Sequence, residues 1–275
     1  AMARAGFVLD DETYLAAAAR AADFVLAEMV EGDLDGGGDL ELMRTFKDGR
    51  ARFPAYLDDY AHMADGLLEL FEATGNLERL RQAERLVERM VDLFWDDSRE
   101  EGGGFFYTAE HHSDLIVRQK DSHDSATPSA NSVALRAILR LGGLTSDRGL
   151  RDRADRTLRA LFPRLEKIPQ AMTSTLRSFF FHLEGPTEVV LVYDSDGEFG
   201  ELVDVARRAY LAHSVRLLVD TTSLDEWRNE VPLTEGREPL DGRPTAYVCF
   251  EGACRRPTTD AGELSEQLGR EEQGS

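Results

Sequence analysis

Apolar residues recur at helical spacing through the first two thirds of this 275-residue chain, and the pattern stops at Gly185-Pro186. Before that point, residues three or four positions apart form apolar faces, which is typical of amphipathic helices. After it, short β-branched runs predict strands. We therefore expect a mostly α protein: helical hairpins over residues 1–184, followed by a small α/β subdomain over 185–268.

Six helices are predicted in the first part, and several are bounded by residues that favour helix ends. Asp11 and Ser129 are suited to cap helix starts, and Gly75 is suited to end a helix. Residues 1–9 resemble the last turns of a further helix, so we expect sequence upstream. A hairpin is expected at 105–117, and no strand is expected before residue 95. The predicted helices cover residues 13–30, 57–74, 77–94, 130–142, 147–166 and 170–183.

The second part reads as a βαβ unit with additional elements. Strands are predicted at 187–193 and 214–219, with a helix at 199–211 between them, so the two strands should run parallel. A third strand is predicted at 245–250 and a last helix at 261–269, and the tail 269–275 should be disordered.

Charge and cysteine content exclude several classes of protein. Lys and Arg total 32 against 52 Asp and Glu, so the net charge is 32 − 52 = −20, which opposes nucleic-acid binding. No apolar run approaches the length of a membrane span, and the N-terminus does not read as a signal peptide. Cys249 and Cys254 are too few for a disulfide scaffold and lack CxxC spacing. We expect a cytoplasmic protein without a cofactor or a metal.

The lengths of the connections indicate where a site would be built. If the six helices alternate in direction, the segments 31–56, 95–128 and 167–169 all enter helices from one rim. Long loops on a rigid scaffold commonly carry function, and helix N-termini offer unpaired N–H donors. The polar residues at this rim fit a small-molecule site, but they fit ordinary helix capping equally well.

Two weaker candidates concern metals. The acidic segment 33–39 resembles a calcium loop, but Gly37 stands where an oxygen ligand is needed and Arg44 where the bidentate Glu should be. His111-His112 has no third ligand nearby in sequence. No phosphate-binding loop, nucleophile elbow or HExxH motif is present.

Several short motifs occur in one order along the chain. They are Leu57-Asp-Asp-Tyr-Ala61, Phe94-Trp-Asp96, Glu101-Gly-Gly-Gly-Phe-Phe-Tyr-Thr108, Pro128-Ser-Ala-Asn-Ser-Val133, Pro169-Gln-Ala171, Glu188-Val-Val-Leu-Val192 and the segment from Tyr247 through Cys249 to Cys254. Together these motifs resemble the C-terminal part of the thioredoxin-domain-containing proteins of the spermatogenesis-associated type. Ala130 and Ser125 depart from the family's pattern, since that family commonly has Gly at both positions.

The resemblance implies an (α/α) toroid similar to six-hairpin glycosidases and N-acylglucosamine 2-epimerases. The family's thioredoxin-like domain and the first toroid helices have no counterpart in this sequence, so three hairpins would form half of a ring. The expected partners are a small carbohydrate and either a second copy of the chain or the missing half of the toroid. Neither nucleic acid nor membrane is expected to bind.

Three functions remain open. The first is a carbohydrate-active domain, either epimerase or hydrolase, and the second is a non-catalytic binding or scaffold module that serves the absent thioredoxin-like domain. The third is a redox-associated protein, in which the toroid presents substrates to that absent domain. Sugar chemistry needs paired proton donors and acceptors on the rim. Under the first reading, the candidate catalytic residues are Asp58, Asp59, His123 and Asp124, and the candidate binding residues are Tyr60, Lys120, Ser129, Asn131 and Gln170.

This chain alone should show no thioredoxin-type reductase activity and at most weak activity on sugars. Cys249 falls inside a predicted strand and Cys254 after a turn, whereas such exchange uses a thiolate activated at a helix start. An insulin-reduction assay with dithiothreitol should give the background rate, both for the parent and for the Cys249→Ser/Cys254→Ser variant. Turnover that the double substitution abolishes would contradict this expectation.

Overall fold

A computed structural model describes most of the chain. The described part leaves out residues 35–38 of the acidic segment, residues 112–116 with His112 and the hairpin tip, and residues 270–275 of the predicted tail. The described residues are 1–34, 39–98, 102–111, 117–194, 200–211, 213–250 and 252–269.

Helices dominate the described part of the chain, which confirms the prediction of a mostly α protein. None of the described helices is long and apolar enough to cross a membrane. In chain order they are α1 (Met2–Leu9), α2 (Glu12–Glu28), α3 (Leu57–Thr74), α4 (Leu77–Phe94), α5 (Ala130–Leu144), α6 (Arg148–Leu165), α7 (Thr173–Glu184), α8 (Gly200–Arg208), α9 (Leu224–Glu230) and α10 (Ala261–Gly269).

Capping residues determine several of these helix boundaries. The Asp11 carboxylate accepts a hydrogen bond from the Thr13 backbone N–H at 2.8 Å, which fixes the start of α2. Gly75 adopts a left-handed conformation with φ 69°, which ends α3 where the sequence predicted. Helix α5 continues through Gly142 to Leu144, because its buried face extends beyond the glycines.

A three-stranded antiparallel sheet lies where only a loop was expected. It consists of β1 (Val30–Gly32), β2 (Leu40–Lys47) and β3 (Arg50–Pro54), so the expectation of no strand before residue 95 was wrong. The turn between β2 and β3 explains it: Asp48 and Gly49 both have positive φ, at 53° and 72°. An Asp-Gly pair with this geometry is a strong local signal for a β-hairpin.

The C-terminal part forms a mixed four-stranded sheet. Its strands are β4 (Thr187–Tyr193), β5 (Ser214–Asp220), β6 (Thr245–Phe250) and β7 (Ala253–Cys254), in the order β5-β4-β6-β7. Strands β4 and β5 pair in parallel, as the βαβ pattern predicted, and β6 pairs antiparallel to both β4 and β7.

The register of β6 and β7 places Cys249 directly opposite Cys254, and the two residues form a disulfide. The sequence analysis treated Cys249 as a packing residue and did not foresee this bond. Cys249 is buried, but the short hairpin returns the chain so that the two side chains share one face of the sheet.

One apolar core joins the helices to the sheet. Side chains from α3, α4 and α5 pack together with those of β4 and β5 in a single buried cluster. The ring of Phe71 on α3 lies 5.5 Å from the ring of Trp227 on α9, a helix that the sequence analysis missed. The predicted boundary between residues 184 and 185 stays a prediction about domain organisation.

A buried ion network crosses the interface between α3 and α5. Arg140 donates from Nη1 to Asp65 Oδ1 at 2.9 Å and from Nη2 to Glu72 Oε1 at 2.6 Å. Arg136 also binds Asp65, through Nε at 2.9 Å. Burial opposes ionisation of Asp65, but Arg140 and Arg136 hold its pKa below the usual value. Asp65 of α3 pairs with Arg136 of α5. Glu72 lies further along α3 and pairs with Arg140, which lies further along α5, so the two helices run in the same direction.

Removing Arg140 should destabilise the fold strongly. The Arg140→Met substitution leaves the carboxylate of Glu72 buried without its cation, so we expect the free energy of unfolding to fall by about 3–5 kcal/mol. Urea unfolding followed by circular dichroism measures this change. The control is Arg159→Met, which removes an arginine that is 78% exposed and should cost less than about 1 kcal/mol. Equal losses of unfolding free energy in the two variants would contradict the claim that the buried ion network stabilises the fold.

Candidate functional site

A polar cavity of about 710 Å³ opens beside the starts of α3 and α5. Three parts of the chain form it: the first turns of α3, the connection that leads into α5, and the end of α6. The lining residues are Asp58, His62, Tyr107, Gln119, Lys120, Asp121, His123, Ser125, Thr127, Pro128, Ala130 and Arg164.

Three of the predicted site residues line this cavity together: Asp58, Lys120 and His123. They come from positions up to 65 residues apart in the sequence. The other six predicted residues do not line it. Those six are Asp59, Tyr60, Asp124, Ser129, Asn131 and Gln170.

The first turn of α3 carries two carboxylates with different surroundings. Arg44 on β2 donates from Nη1 to Asp58 Oδ1 at 3.1 Å and to Asp59 Oδ2 at 2.6 Å. Asp59 also accepts from the Tyr56 backbone N–H at 2.9 Å, so it caps the helix. Burial raises the pKa of Asp59, and the negative charge of Asp58 raises it further. Asp58 is the carboxylate that lines the cavity.

Tyr107 forms an aromatic part of the cavity wall. Its backbone C=O accepts from the Leu57 N–H at 3.1 Å, and its backbone N–H donates to the Gln119 C=O at 2.7 Å. Its ring lies 5.4 Å from that of Tyr56. Burial raises the pKa of the Tyr107 phenol, and the charge of Asp58 adds to this effect. The hydroxyl is therefore a neutral hydrogen-bonding group at physiological pH.

The buried side chain of Asn131 connects segments that form the cavity wall. Its side-chain amide donates to the C=O of Phe105 and of Asp121, each at 2.8 Å, and its Oδ1 accepts from the Phe105 N–H at 2.7 Å. The residue is fully buried. These three bonds tie two loop segments to the first turn of α5, so Asn131 holds the site in shape from behind.

Asp124 connects the starts of two helices. Its carboxylate accepts from the Ser129 N–H at 3.0 Å, ahead of α5, and from the Ser174 N–H at 2.8 Å, in the first turn of α7. Thr173 Oγ1 donates to it as well, at 3.2 Å. Partial burial opposes ionisation, but these donors hold the pKa of Asp124 below its usual value.

The cations of the cavity are fixed by internal partners. Lys120 Nζ donates to the carboxylate of Asp96 and, at 2.7 Å, to the C=O of Gly103. Arg164 Nη1 donates to Ser122 Oγ at 2.8 Å. Each side chain is thus held in one orientation while it lines the cavity.

Three other predicted binding residues have different surroundings. Tyr60 is fully buried, and its hydroxyl accepts from the Leu42 N–H at 2.8 Å. Ser129 caps α5, since its Oγ accepts from the Ser132 N–H at 3.4 Å. Gln170 is exposed in the short 3-10 turn before α7. Their assignment as binding residues stays a prediction that these contacts do not support.

Sequence reasoning missed several lining residues. His62 follows Asp58 by four positions on α3, so helical spacing could have identified it. Tyr107, Gln119 and Arg164 reach the cavity only through the tertiary fold. Arg44 holds Asp58 from β2, and that strand was not predicted.

Within the described residues, no group of three or more His, Cys, Asp or Glu side chains is arranged to hold a metal ion. His111 Nε2 lies 3.7 Å from Glu41 Oε1 at the surface.

The Asp124→Asn substitution should destabilise the protein in a pH-dependent way. The folded-state pKa of Asp124 lies below its unfolded value, so its contribution is present above about pH 4 and is lost as the pH falls further. We expect a loss of about 2 kcal/mol at pH 7, typical of hydrogen bonds to a charged group, and a smaller difference near pH 3. Urea unfolding at both values measures it. A difference independent of pH would contradict the ionised cap.

Comparison with known proteins shows that most of the chain is similar in sequence to one group of proteins. It is 33% identical over 215 residues to spermatogenesis-associated protein 20 of Homo sapiens, covering 78% of this chain and 27% of that protein. The Mus musculus protein of the same name is 31% identical over the same coverage, and an uncharacterized Caenorhabditis elegans protein is 27% identical over 218 residues, covering 79% of this chain and 29% of that protein. No family model matches the chain. The chain spans about a quarter of the length of these curated relatives, and over most of its own length it is related to spermatogenesis-associated protein 20.

Proposed function

We propose that the cavity binds a small polyhydroxylated molecule of the carbohydrate class, on a helical domain that is part of an (α/α) toroid. The observation that carries this proposal is the cavity itself, in which Asp58, Lys120 and His123 come together from separate parts of the chain. Its volume of about 710 Å³ is in the range typical of small-molecule sites.

The lining groups are suited to hydroxyl-rich ligands. A sugar hydroxyl both donates and accepts hydrogen bonds, so it is best bound where carboxylates and cations are mixed. Asp58 and Asp121 supply acceptors, Lys120 and Arg164 supply donors, and Tyr107 offers an aromatic surface for the sugar's C–H face.

Asp58 and His123 are the proposed pair for proton transfer in an epimerase or hydrolase. Carboxylate and imidazole are among the side chains most often used as general acids and bases. Both line the same cavity, which such chemistry requires. Asp59 and Asp124 are assigned positioning roles instead, because each carboxylate is held by hydrogen bonds that fix a helix start.

The second candidate is a non-catalytic binding module for a thioredoxin-like domain elsewhere in a longer protein. The observation in its favour is that several polar groups at this rim have internal partners, as Lys120 has with Asp96 and Asp58 with Arg44. A binding module tolerates such pairing, whereas proton transfer needs a group that is free to change its charge. Binding without turnover would support this second function.

Substitution of the proposed pair should weaken sugar binding without unfolding the protein. Isothermal titration calorimetry across a monosaccharide panel, including glucose, mannose and N-acetylglucosamine, should identify at least one ligand. Asp58→Asn and His123→Ala should each raise its Kd by about tenfold, which corresponds to the loss of one hydrogen bond. Asp59 still pairs with Arg44 in the Asp58→Asn variant, so the helix start should persist.

The matched control is Asp225→Asn, which neutralises a carboxylate that is 99% exposed on α9. It should bind the ligand as the parent does. Two results would contradict the proposal: no member of the panel binds, or the two cavity variants bind as tightly as the control. Thermal unfolding of each variant shows whether a loss of affinity reflects a loss of the fold.

A further inference from the structure

The two sulfurs of the Cys249–Cys254 disulfide have different environments. Cys249 lies on β6 with only 1% of its surface exposed, whereas Cys254 lies exposed on β7, the edge strand of the sheet. An attacking thiolate must reach a sulfur from solvent, so Cys254 offers the accessible atom.

A buried cation lies beside the inaccessible sulfur. Arg237 is 8% exposed, and its Nη2 donates to Cys249 Sγ at 3.2 Å. The same nitrogen lies 3.2 Å from Glu188 Oε2 on β4. Nη1 of Arg237 is buried and has no hydrogen-bond partner among the described residues. Nη1 is therefore a donor next to Cys249 that the disulfide sulfur, which is a weak acceptor, leaves unused.

We propose that Cys249 and Cys254 form a reversible dithiol–disulfide pair, in which Cys254 Sγ is the atom attacked and Arg237 stabilises Cys249 as the departing thiolate. The co-reactant is an external dithiol. A cysteine pair in a protein predicted to be cytoplasmic fits this chemistry, because cytosolic disulfides are usually transient and redox-active. The insulin prediction concerns thioredoxin-type turnover, which uses a thiolate activated at a helix start, whereas this proposal concerns an equilibrium with a small external dithiol.

The exchange balances as two successive displacements. A thiolate of the external dithiol attacks Cys254 Sγ, an intermolecular S–S bond forms, and Cys249 leaves with the electron pair of the broken bond. The second thiolate of the dithiol then attacks the other sulfur of the same dithiol, which is bonded to Cys254 in the mixed disulfide. Cys254 leaves as a thiolate. Two electrons reach the protein, and the external dithiol becomes a cyclic disulfide. The two protein thiolates take up two protons, which equals the number that the external dithiol releases.

Arg237 and Glu188 should influence this equilibrium in opposite directions. A cation next to a thiolate lowers the free energy of the reduced form, so removing Arg237 should make the disulfide harder to reduce. Glu188 pairs with the same guanidinium, and its negative charge disfavours a nearby thiolate. Neutralising Glu188 should therefore make reduction of the disulfide easier. General loosening of the sheet would change both variants in the same direction.

The test measures the fraction of oxidised protein at equilibrium. The full chain is held in defined ratios of reduced to oxidised dithiothreitol, quenched by alkylation and analysed by mass spectrometry. Arg237→Gln should need a roughly tenfold higher ratio for half reduction than the parent, the change that one pKa unit of thiolate stabilisation produces. Glu188→Gln should need a lower ratio. Arg243→Gln, which removes a cation 63% exposed in the segment before β6, should match the parent.

Single-cysteine variants test which sulfur is attacked. With oxidised glutathione, Cys254 in the Cys249→Ser variant should form a mixed disulfide at least about tenfold faster than Cys249 does in the Cys254→Ser variant, since exposure limits the reaction. The proposal is overturned if Arg237→Gln and Glu188→Gln move the equilibrium in the same direction or not at all. It is also overturned if Cys249 reacts as fast as Cys254, or if reduction occurs only where circular dichroism shows unfolding.

Discussion

The guanidinium of Arg140, buried between Asp65 and Glu72, is the interaction on which the arrangement of the helices depends. It sits where α3 and α5 pack, inside the core that also receives β4 and β5. Apolar packing would hold these helices together at several registers, but a buried cation is tolerated only where its carboxylates meet it. The network therefore selects one alignment, in which the two helices run parallel.

That alignment brings the first turns of α3 and α5 to the same side of the molecule. The loop side chains then complete the arrangement: Asn131 ties the loops to α5, and Asp124 ties the start of α5 to the start of α7. Backbone groups that a helix start leaves unpaired are thus satisfied by residues that also shape the wall. The cavity exists because the starts of α3 and α5, the connection that leads into α5 and the end of α6 converge.

Most of the helical part could be predicted from the sequence because local signals agreed with the tertiary fold. Periodic apolar residues and Gly75 define α3, and Asp11 defines the start of α2. The hairpin of β2 and β3 was missed although its Asp48-Gly49 turn is a local signal, because the acidic segment before it reads as a loop. Helix α9 was missed for a different reason: it is short, and Trp227 is buried against the distant Phe71.

The candidate site was predictable only in part. Asp58, Lys120 and His123 could be selected because connection lengths indicate which helix ends share a rim. The direction of each side chain could not be deduced, since the same residue types cap helices and bind ligands; Ser129 and Asp124 proved to hold helix starts. Tyr107 and Arg44 reach the site through contacts between distant segments, which periodicity does not reveal.

The most direct test of the central claim, that these separate segments form one ligand site, is a nuclear magnetic resonance titration of the labelled chain with the monosaccharide that binds best. The backbone amides of Asp58, His62, Lys120 and His123 should shift together and saturate with one common Kd. Shifts confined to a single segment, or changes that do not saturate, would show that the starts of α3 and α5 do not build a shared site.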